Sequence, residues 1–248
     1  MKSLTEKLSL LRWGAHYEGW AFTIFRMIVK ASRYVGTRGS RSEWFQQLTE
    51  RQFDKRFNVA TSGYMLPDDM EIPEDCVEHA VEYAPTSANR FGWLLSQLPV
   101  DLSEYVFVDF GSGKGRVLLM ASEFPFQHVL GVELSPELHI IAEQNIGSFR
   151  SHHQQCNMVN SINQDATQFE FPEKPLILYF FNPFSADILR IVIDNLQASL
   201  DQQPRAVIAL YYNPLHAEAF EDSPTFTAHN FDFNPGPGWR IFTTEISN

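Results

Sequence analysis

Tyr105-Val-Phe-Val-Asp109-Phe110-Gly111-Ser112-Gly113-Lys114-Gly115-Arg116 is the stretch that decides the fold. It opens as an apolar run broken only by Asp109 and ends in three alternating glycines. A short apolar run of this kind fits a strand buried on both faces of a parallel sheet. The glycines fit a turn that takes positive φ and puts no Cβ between the backbone and a ligand. Arg116 to Glu123 then reads as a helix. The turn therefore joins a strand's carboxyl end to a helix start, with backbone N–H groups pointing at whatever binds.

The same alternation continues downstream. His128 to Val132 reads as a second strand, closed by Glu133. Ser135-Pro136-Glu137 supplies an N-cap, a proline at the first helical position and an acidic first turn, so a helix is expected to about Phe149. Cys156 to Ile162 reads as a third strand, Leu176 to Phe181 as a fourth and Ala206 to Tyr212 as a fifth. Between the last two, Asn182 to Leu200 carries Ile188, Leu189, Val192, Ile193, Leu196 and Leu200 at helical spacing. Phe226 to Phe233 and Trp239 to Ile246, joined through Asn234-Pro-Gly-Pro-Gly238, read as a final pair of strands. Repeated βα units imply an α/β fold: a mostly parallel sheet, helices on both faces, a C-terminal β-hairpin, and ligands at the carboxyl ends of the strands.

Upstream, residues 1–100 read as a helical, irregular extension and 101–248 as the α/β domain. Leu4, Leu8 and Leu11 recur at helical spacing, as do Phe22, Phe25, Ile28 and Val29. Trp20 to Val29 is too short to cross a bilayer and contains Arg26. Lys30, Arg33, Arg38 and Arg41 form a loose basic run around Gly36 and Gly39. It reads as a solvated helix end and loop, with an anion- or membrane-surface patch as the alternative.

Composition narrows the classes further. The formal charge of −11 is the wrong sign for a generic phosphate-backbone binder, so a nucleic-acid partner is disfavoured. Only Cys76 and Cys156 are present, without metal-like spacing, which leaves no basis for a disulfide framework or structural zinc. His152 and His153 are adjacent and so do not share one helical face for a metal. Aromatics at 14% favour a well-filled core or an aromatic-lined pocket. Met1 to Leu11 lacks the pattern of a secretory signal, and a cytoplasmic location is expected.

The glycine turn and its acid separate two cofactor classes. Glu133 ends the second strand 20 residues past Gly113, where a carboxylate can accept from both ribose hydroxyls of an adenosine cofactor. The plainer reading is a surface Glu near a helix N-terminus. A dinucleotide site wants G-x-G-x-x-G, and Arg116 occupies the last glycine position. Asp109, two residues before Gly111, would repel a pyrophosphate but suits a cofactor with a cationic amino group. S-adenosylmethionine has that ammonium and no phosphate.

Asp109 to Gly115 resembles the glycine-rich first motif of class I S-adenosylmethionine-dependent methyltransferases, and Gly131-Val-Glu133-Leu134-Ser their second. With Tyr83-Ala-Pro85-Thr86-Ser87, the chain is similar to poorly characterised bacterial methyltransferases and small protein-lysine methyltransferases over roughly residues 50 to 210. The resemblance implies a Rossmann-like class I sheet and an S-adenosyl-L-methionine site. Asp109, Gly111, Ser112, Gly113 and Gly115 would hold the methionine end, Glu133 and Leu134 the ribose side, and Asp165 the adenine amino group. For Asp165 a turn-forming role is the alternative.

Tyr179-Phe-Phe181-Asn182-Pro183-Phe184 resembles a shortened Asn/Asp-Pro-Pro-aromatic motif of amino-group methyltransferases, lacking one proline. By that resemblance Asn182 positions the acceptor nitrogen and Pro183 and Phe184 line the substrate side; the resemblance to the lysine enzymes implies that Tyr83 lies beside the cofactor. The alternative is a helix cap, as expected for the near-copy Tyr211-Tyr-Asn213-Pro214. By the resemblance to the bacterial sequences, Phe53 to Gly63 and Tyr83 to Ser87 would fold over the cofactor as a lid; the alternative is an ordinary connector with an N-cap at Thr86 or Ser87. The expected activity is methyl transfer to a protein lysine or small-molecule amine. An NAD(P)-dependent oxidoreductase and a non-catalytic S-adenosylmethionine binder are the alternatives, and the oligomeric state is left open.

Overall fold

The computed structural model describes residues 4–32, 41–229, 233 and 238–244. Four helices lead the chain: α1 (Leu4–Glu18), α2 (Trp20–Ser32), α3 (Arg41–Phe57) and α4 (Ala88–Leu95). Strand and helix then alternate through β1 (Val106–Phe110), α5 (Arg116–Ala121), β2 (His128–Glu133), α6 (Pro136–Ser148), β3 (Val159–Asn163), β4 (Leu176–Phe181), α7 (Ala186–Gln202) and β5 (Val207–Tyr212). A short α8 (Glu218–Glu221) precedes β6 (Phe226–Ala228) and β7 (Trp239–Thr244).

The sheet runs β3-β2-β1-β4-β5-β7-β6, parallel except for β7, which lies antiparallel to both β5 and β6. The order reverses between β1 and β4, and in open α/β sheets that switch point opens a crevice at the strands' carboxyl ends. Asp109, Glu133 and Phe181 all stand at that edge.

Side chains alternate across β1, as the period of a strand requires. Phe107 joins one core cluster; Val106, Val108 and Phe110 join the other. The first cluster also takes Tyr17, Phe53, Phe57, Phe91 and Trp93 from α1, α3 and α4. The leading helices thus share the sheet's core, and most of the aromatic content fills it.

Several boundaries differ from expectation for local reasons. The third strand starts at Val159 because the Gln155 and Cys156 amides donate to the Ser122 carbonyl, which holds that segment on the end of α5. The helix after β4 starts at Ala186, with Ser185 at the cap position, because Asn182 takes φ 43° and breaks the run. The Ser135 cap forms as expected, its side chain accepting the Leu138 amide. The ends of the last two expected strands, and Arg33 and Arg38 of the basic run, lie outside the described residues.

Candidate cofactor and acceptor site

Gly111, Gly113 and Gly115 all adopt positive φ, 72°, 54° and 79°. At two of them the missing Cβ also makes room for a neighbour. A Cβ on Gly111 would stand 2.6 Å from Pro183 Cβ, and one on Gly113 would collide with the Cδ2–Cε2 edge of the Tyr83 ring. The turn is therefore pressed between the β4 end and Tyr83, and only glycine fits there. Gly115 faces away, against Ala142 of α6, and does not line the cavity.

Four of the turn's amides are already spent. Gly111 and Ser112 both donate to the Val132 carbonyl, at 2.9 and 3.2 Å, and Gly115 donates to Ser112 O at 2.9 Å. Gly113 N–H donates to Glu133 Oε2 at 2.7 Å, and Ser135 N–H to Glu133 Oε1 at 2.9 Å. A pyrophosphate needs those donors free. The amides of Gly111, Ser112, Gly113 and Gly115 are unavailable to one.

Two buried carboxylates flank this turn. Burial, reinforced by the Glu133 charge, holds Asp109 well above the usual carboxylate range. No donor among the described residues is hydrogen-bonded to it. Burial also pushes Glu133 up, against the pull of the Ser135, Gly113 and Leu134 amides. The Gly113 and Ser135 bonds fall on different Glu133 oxygens and do not exhaust the carboxylate's capacity to accept from a ligand.

Both acids line a cavity of about 370 Å³ at the carboxyl edge of the sheet, a size in the range of small-molecule sites, roughly 300–1,000 Å³. Of the residues singled out from sequence, Tyr83, Asp109, Gly111, Ser112, Gly113, Glu133, Leu134, Asp165, Asn182, Pro183 and Phe184 all reach its wall. Asp165 also caps a short 3-10 turn, accepting the Thr167 amide at 2.8 Å, so the turn role and the wall position coexist.

Asn182 is buried and does not cap α7. Its side-chain oxygen accepts from the Tyr211 hydroxyl at 3.2 Å, leaving a lone pair and the amide group for a ligand. The near-copy Asn213 also takes positive φ, 50°, and also lines the cavity, so neither Asn-Pro pair is a helix start. Tyr83 presents its ring rather than its hydroxyl: the hydroxyl donates to Thr61 O at 2.6 Å while the Lys114 ammonium sits 5.0 Å from the ring centre.

Phe53 to Gly63 braces the turn instead of covering the cavity. Arg116 is buried, lies over the Phe53 ring, and donates to Thr61 Oγ1 at 2.7 Å and Glu50 O at 2.7 Å. The cover comes from residues 64–86, an irregular strap tied by the Met65–Tyr83 and Ala80–Phe184 bridges and by Ser185 N–H on His79 O. From this strap Tyr64, Met70, Ile72, Cys76 and His79 face the cavity. Only Tyr83 to Ser87 was legible here, because the rest has no periodicity. Tyr211, two residues before the repeated Asn-Pro, was the other signal passed over. Among the described residues no cluster of His, Cys, Asp or Glu could hold a metal.

The strand order and the reversed β7 make this a Rossmann-like α/β fold, a mostly parallel sheet closed by an antiparallel C-terminal pair. Over 105 residues the chain is 28% identical to a ribosomal protein L11 methyltransferase of Hydrogenovibrio crunogenus, a match covering 41% of this chain and 35% of the relative. Over 106 residues it is 27% identical to the ribosomal protein L11 methyltransferase of Glaesserella parasuis, covering 42% and 35%. The matched part is thus about a third of those relatives' length. Among solved structures, a ribosomal protein L11 methylase from Lactobacillus delbrueckii subsp. bulgaricus aligns with TM-score 0.42 and 16% identity over 62% of this chain and 76% of that one. An RNA methyltransferase from Salinibacter ruber, in complex with S-adenosyl-L-homocysteine, aligns with TM-score 0.42 and 18% identity over 65% and 92%. No family model matches the chain. No helix among the described residues is long and apolar enough to cross a membrane.

Proposed function

We propose that this chain transfers a methyl group from S-adenosylmethionine to nitrogen, on a protein lysine or a small amine. One observation carries the reading: the cavity floor pairs two buried carboxylates with a turn whose Gly111, Ser112, Gly113 and Gly115 amides are consumed internally. That floor suits an ammonium and ribose hydroxyls and repels a pyrophosphate, which disfavours the NAD(P) oxidoreductase alternative. The relatives' name, ribosomal protein L11 methyltransferase, favours a protein acceptor.

When bound, the cofactor supplies an electrophilic methyl on a sulfonium; the carbon–sulfur bond electrons leave with sulfur as the nitrogen lone pair forms the new bond. Asp109 would pair with the amino group of the methionine end, and Glu133, which holds the Gly113 amide, would accept from the ribose side. Asn182, steadied by Tyr211, accepts from the N–H of the acceptor amine, which keeps the nitrogen lone pair aimed along the reaction line. Pro183 and Phe184 wall the acceptor side, and the strap excludes bulk water. The amine must arrive neutral, its proton going to water at the cavity mouth.

Calorimetry with S-adenosylmethionine, S-adenosylhomocysteine and NAD, followed by labelled methyl transfer into protein and small-molecule fractions of a lysate, tests the proposal. Binding of the first two ligands, and label in an amine-bearing fraction that falls at least tenfold for Asn182→Ala, is the expected result. Binding of NAD alone overturns the cofactor assignment. Binding without transfer to any fraction leaves a non-catalytic binder.

A further inference from the structure

Two asparagines end neighbouring parallel strands. The β4–β5 register pairs Phe180 with Tyr211 and Phe181 with Tyr212, so Asn182 and Asn213 are the next residue on each strand. Adjacent strands lie about 4.8 Å apart, and both asparagines line the cavity. Each is followed by a proline, and each takes positive φ, 43° and 50°. The Asn213 turn is pinned to the residue before β7, its N–H donating to Gly238 O at 2.7 Å.

The backbone alone does not call for asparagine at both places. Glycine takes positive φ at no steric cost, as it does three times in the turn after β1. Asn58, the third non-glycine residue with positive φ among those described, stands just past the end of α3 and does not line the cavity. Asparagine is a common helix stop in that setting. Asn182 and Asn213 follow strands and stop no helix. What each brings to the cavity wall is a side-chain amide. The Asn182 amide is buried, its oxygen on the Tyr211 hydroxyl. The Asn213 amide stands exposed at the mouth and has no hydrogen-bond partner among the described residues.

We propose, on the amine-acceptor reading given above, that Asn213 is a second hydrogen-bond acceptor for the target nitrogen and that the target is a primary amine. A neutral primary amine has two N–H bonds and one lone pair. With one N–H on the Asn182 oxygen and the other on the Asn213 oxygen, the lone pair is left a single direction, toward the methyl donor. Transfer forms the nitrogen–carbon bond and breaks the carbon–sulfur bond, whose electrons leave with sulfur. The nitrogen then loses a proton to water and is a neutral secondary amine with one N–H. That N–H stays on buried Asn182, and the new methyl takes the open side at Asn213. A second transfer therefore uses no contact with Asn213.

The test compares wild type, Asn213→Gly and Asn213→Asp, using labelled S-adenosylmethionine and the lysate fraction that the wild type labels. Mass spectrometry follows the mono- and dimethyl forms over time. Glycine keeps the backbone φ and deletes the amide; aspartate tolerates the same φ and keeps an acceptor oxygen. Asn213→Gly should slow the first addition about fivefold or more and leave any second addition unchanged, while Asn213→Asp stays near wild type. All three should share one melting temperature and one calorimetric affinity for S-adenosylmethionine. Where only one methyl is added, the slowing by glycine and its rescue by aspartate decide. A first addition indifferent to Asn213→Gly, equal slowing of both additions, or a lowered melting temperature or cofactor affinity in the glycine variant overturns the second contact alone. Label on a secondary amine, guanidinium or imidazole nitrogen overturns the primary-amine assignment. No transfer by the wild type to any fraction overturns the amine reading itself.

Discussion

Glu133→Gln swaps one carboxylate oxygen for an amide nitrogen at nearly constant shape. In the wild type the two oxygens hold two buried backbone donors, Gly113 N–H at 2.7 Å and Ser135 N–H at 2.9 Å. Glutamine can accept only one of them, and the other amide then faces an NH₂ group, donor against donor. A hydrogen bond to a charged acceptor contributes about 1.5–3 kcal/mol, and stranding a buried donor costs a similar amount. Part of this is offset, because burial makes the charged carboxyl costly to hold and glutamine escapes that cost. The net expectation is a folding loss of about 2 kcal/mol, which for a chain of this length lowers the melting temperature by about 4–8 °C. A second, separate loss falls on the ligand. Losing one ribose hydrogen bond to a charged acceptor, at about 2 kcal/mol, weakens S-adenosylmethionine roughly thirtyfold. Thermal melts with and without the cofactor, together with calorimetry, separate the two. An unchanged apo melt refutes the claim that Glu133 holds the turn. A lowered melt with unchanged affinity leaves that claim standing and sinks the ribose assignment.

Three further perturbations probe the same frame. Asp109→Asn should weaken S-adenosylmethionine by about tenfold at pH 8 and flatten its pH dependence. In the wild type a raised Asp109 must ionise to meet the ammonium, so affinity climbs with pH and calorimetry in buffers of different ionisation enthalpy should detect proton release. Gly113→Ala combines a positive φ, costing about 1–2 kcal/mol, with overpacking against Tyr83 at about 1–3 kcal/mol; a denaturation cycle with Tyr83→Ala should recover only the packing part. Glu18 is pushed up to about 7, chiefly by burial, with Arg26 and Arg116 pulling it down. A carboxyl raised in the fold binds more protons folded than unfolded, so its contribution is full below pH 4.5 and is lost as pH rises to 7. Denaturation curves should therefore show Glu18→Gln more stable than wild type at pH 8, by about 2 kcal/mol, with the gap closing below pH 5.

The sheet was legible because its strands carry the signal in themselves. Val106 to Phe110 and Leu176 to Phe181 are buried on both faces, and the glycines after β1 need their φ whatever the ligand. The candidate residues at the strand ends share one cavity wall because of that register. What could not be read was anything set by contacts far along the chain. Asn182 looked like a helix cap or an acceptor group because one sequence serves both; its positive φ and the Tyr211 hydroxyl, 29 residues away, remove the cap reading. Phe53 to Gly63 looked like a lid because it is polar and aromatic. Its polar groups are in fact consumed by Arg116, Lys114 and Asn145 behind the turn. The strap that does cover the cavity has no period at all, and its ties to Phe184 and Ser185 are backbone bonds that side-chain identity does not encode.

Arg116 joins these observations. At the position where a dinucleotide site needs glycine for close helix–strand contact, this chain places a buried guanidinium that fastens α3 and Thr61 to the start of α5. Tyr83, held by its hydroxyl on that same Thr61, presses its ring on Gly113. Gly113 in turn gives its amide to Glu133. The departure from the dinucleotide pattern and the loss of free amides are thus two ends of one chain of contacts. Through Arg116, α3 braces the turn beneath the cavity. Arg116→Gly should not convert the site to NAD binding. It should free Thr61 and Tyr83, loosen the turn, and weaken S-adenosylmethionine through a residue that does not donate a hydrogen bond into the cavity. Calorimetry that finds the cofactor bound as tightly by Arg116→Gly as by wild type would break that chain at its first link.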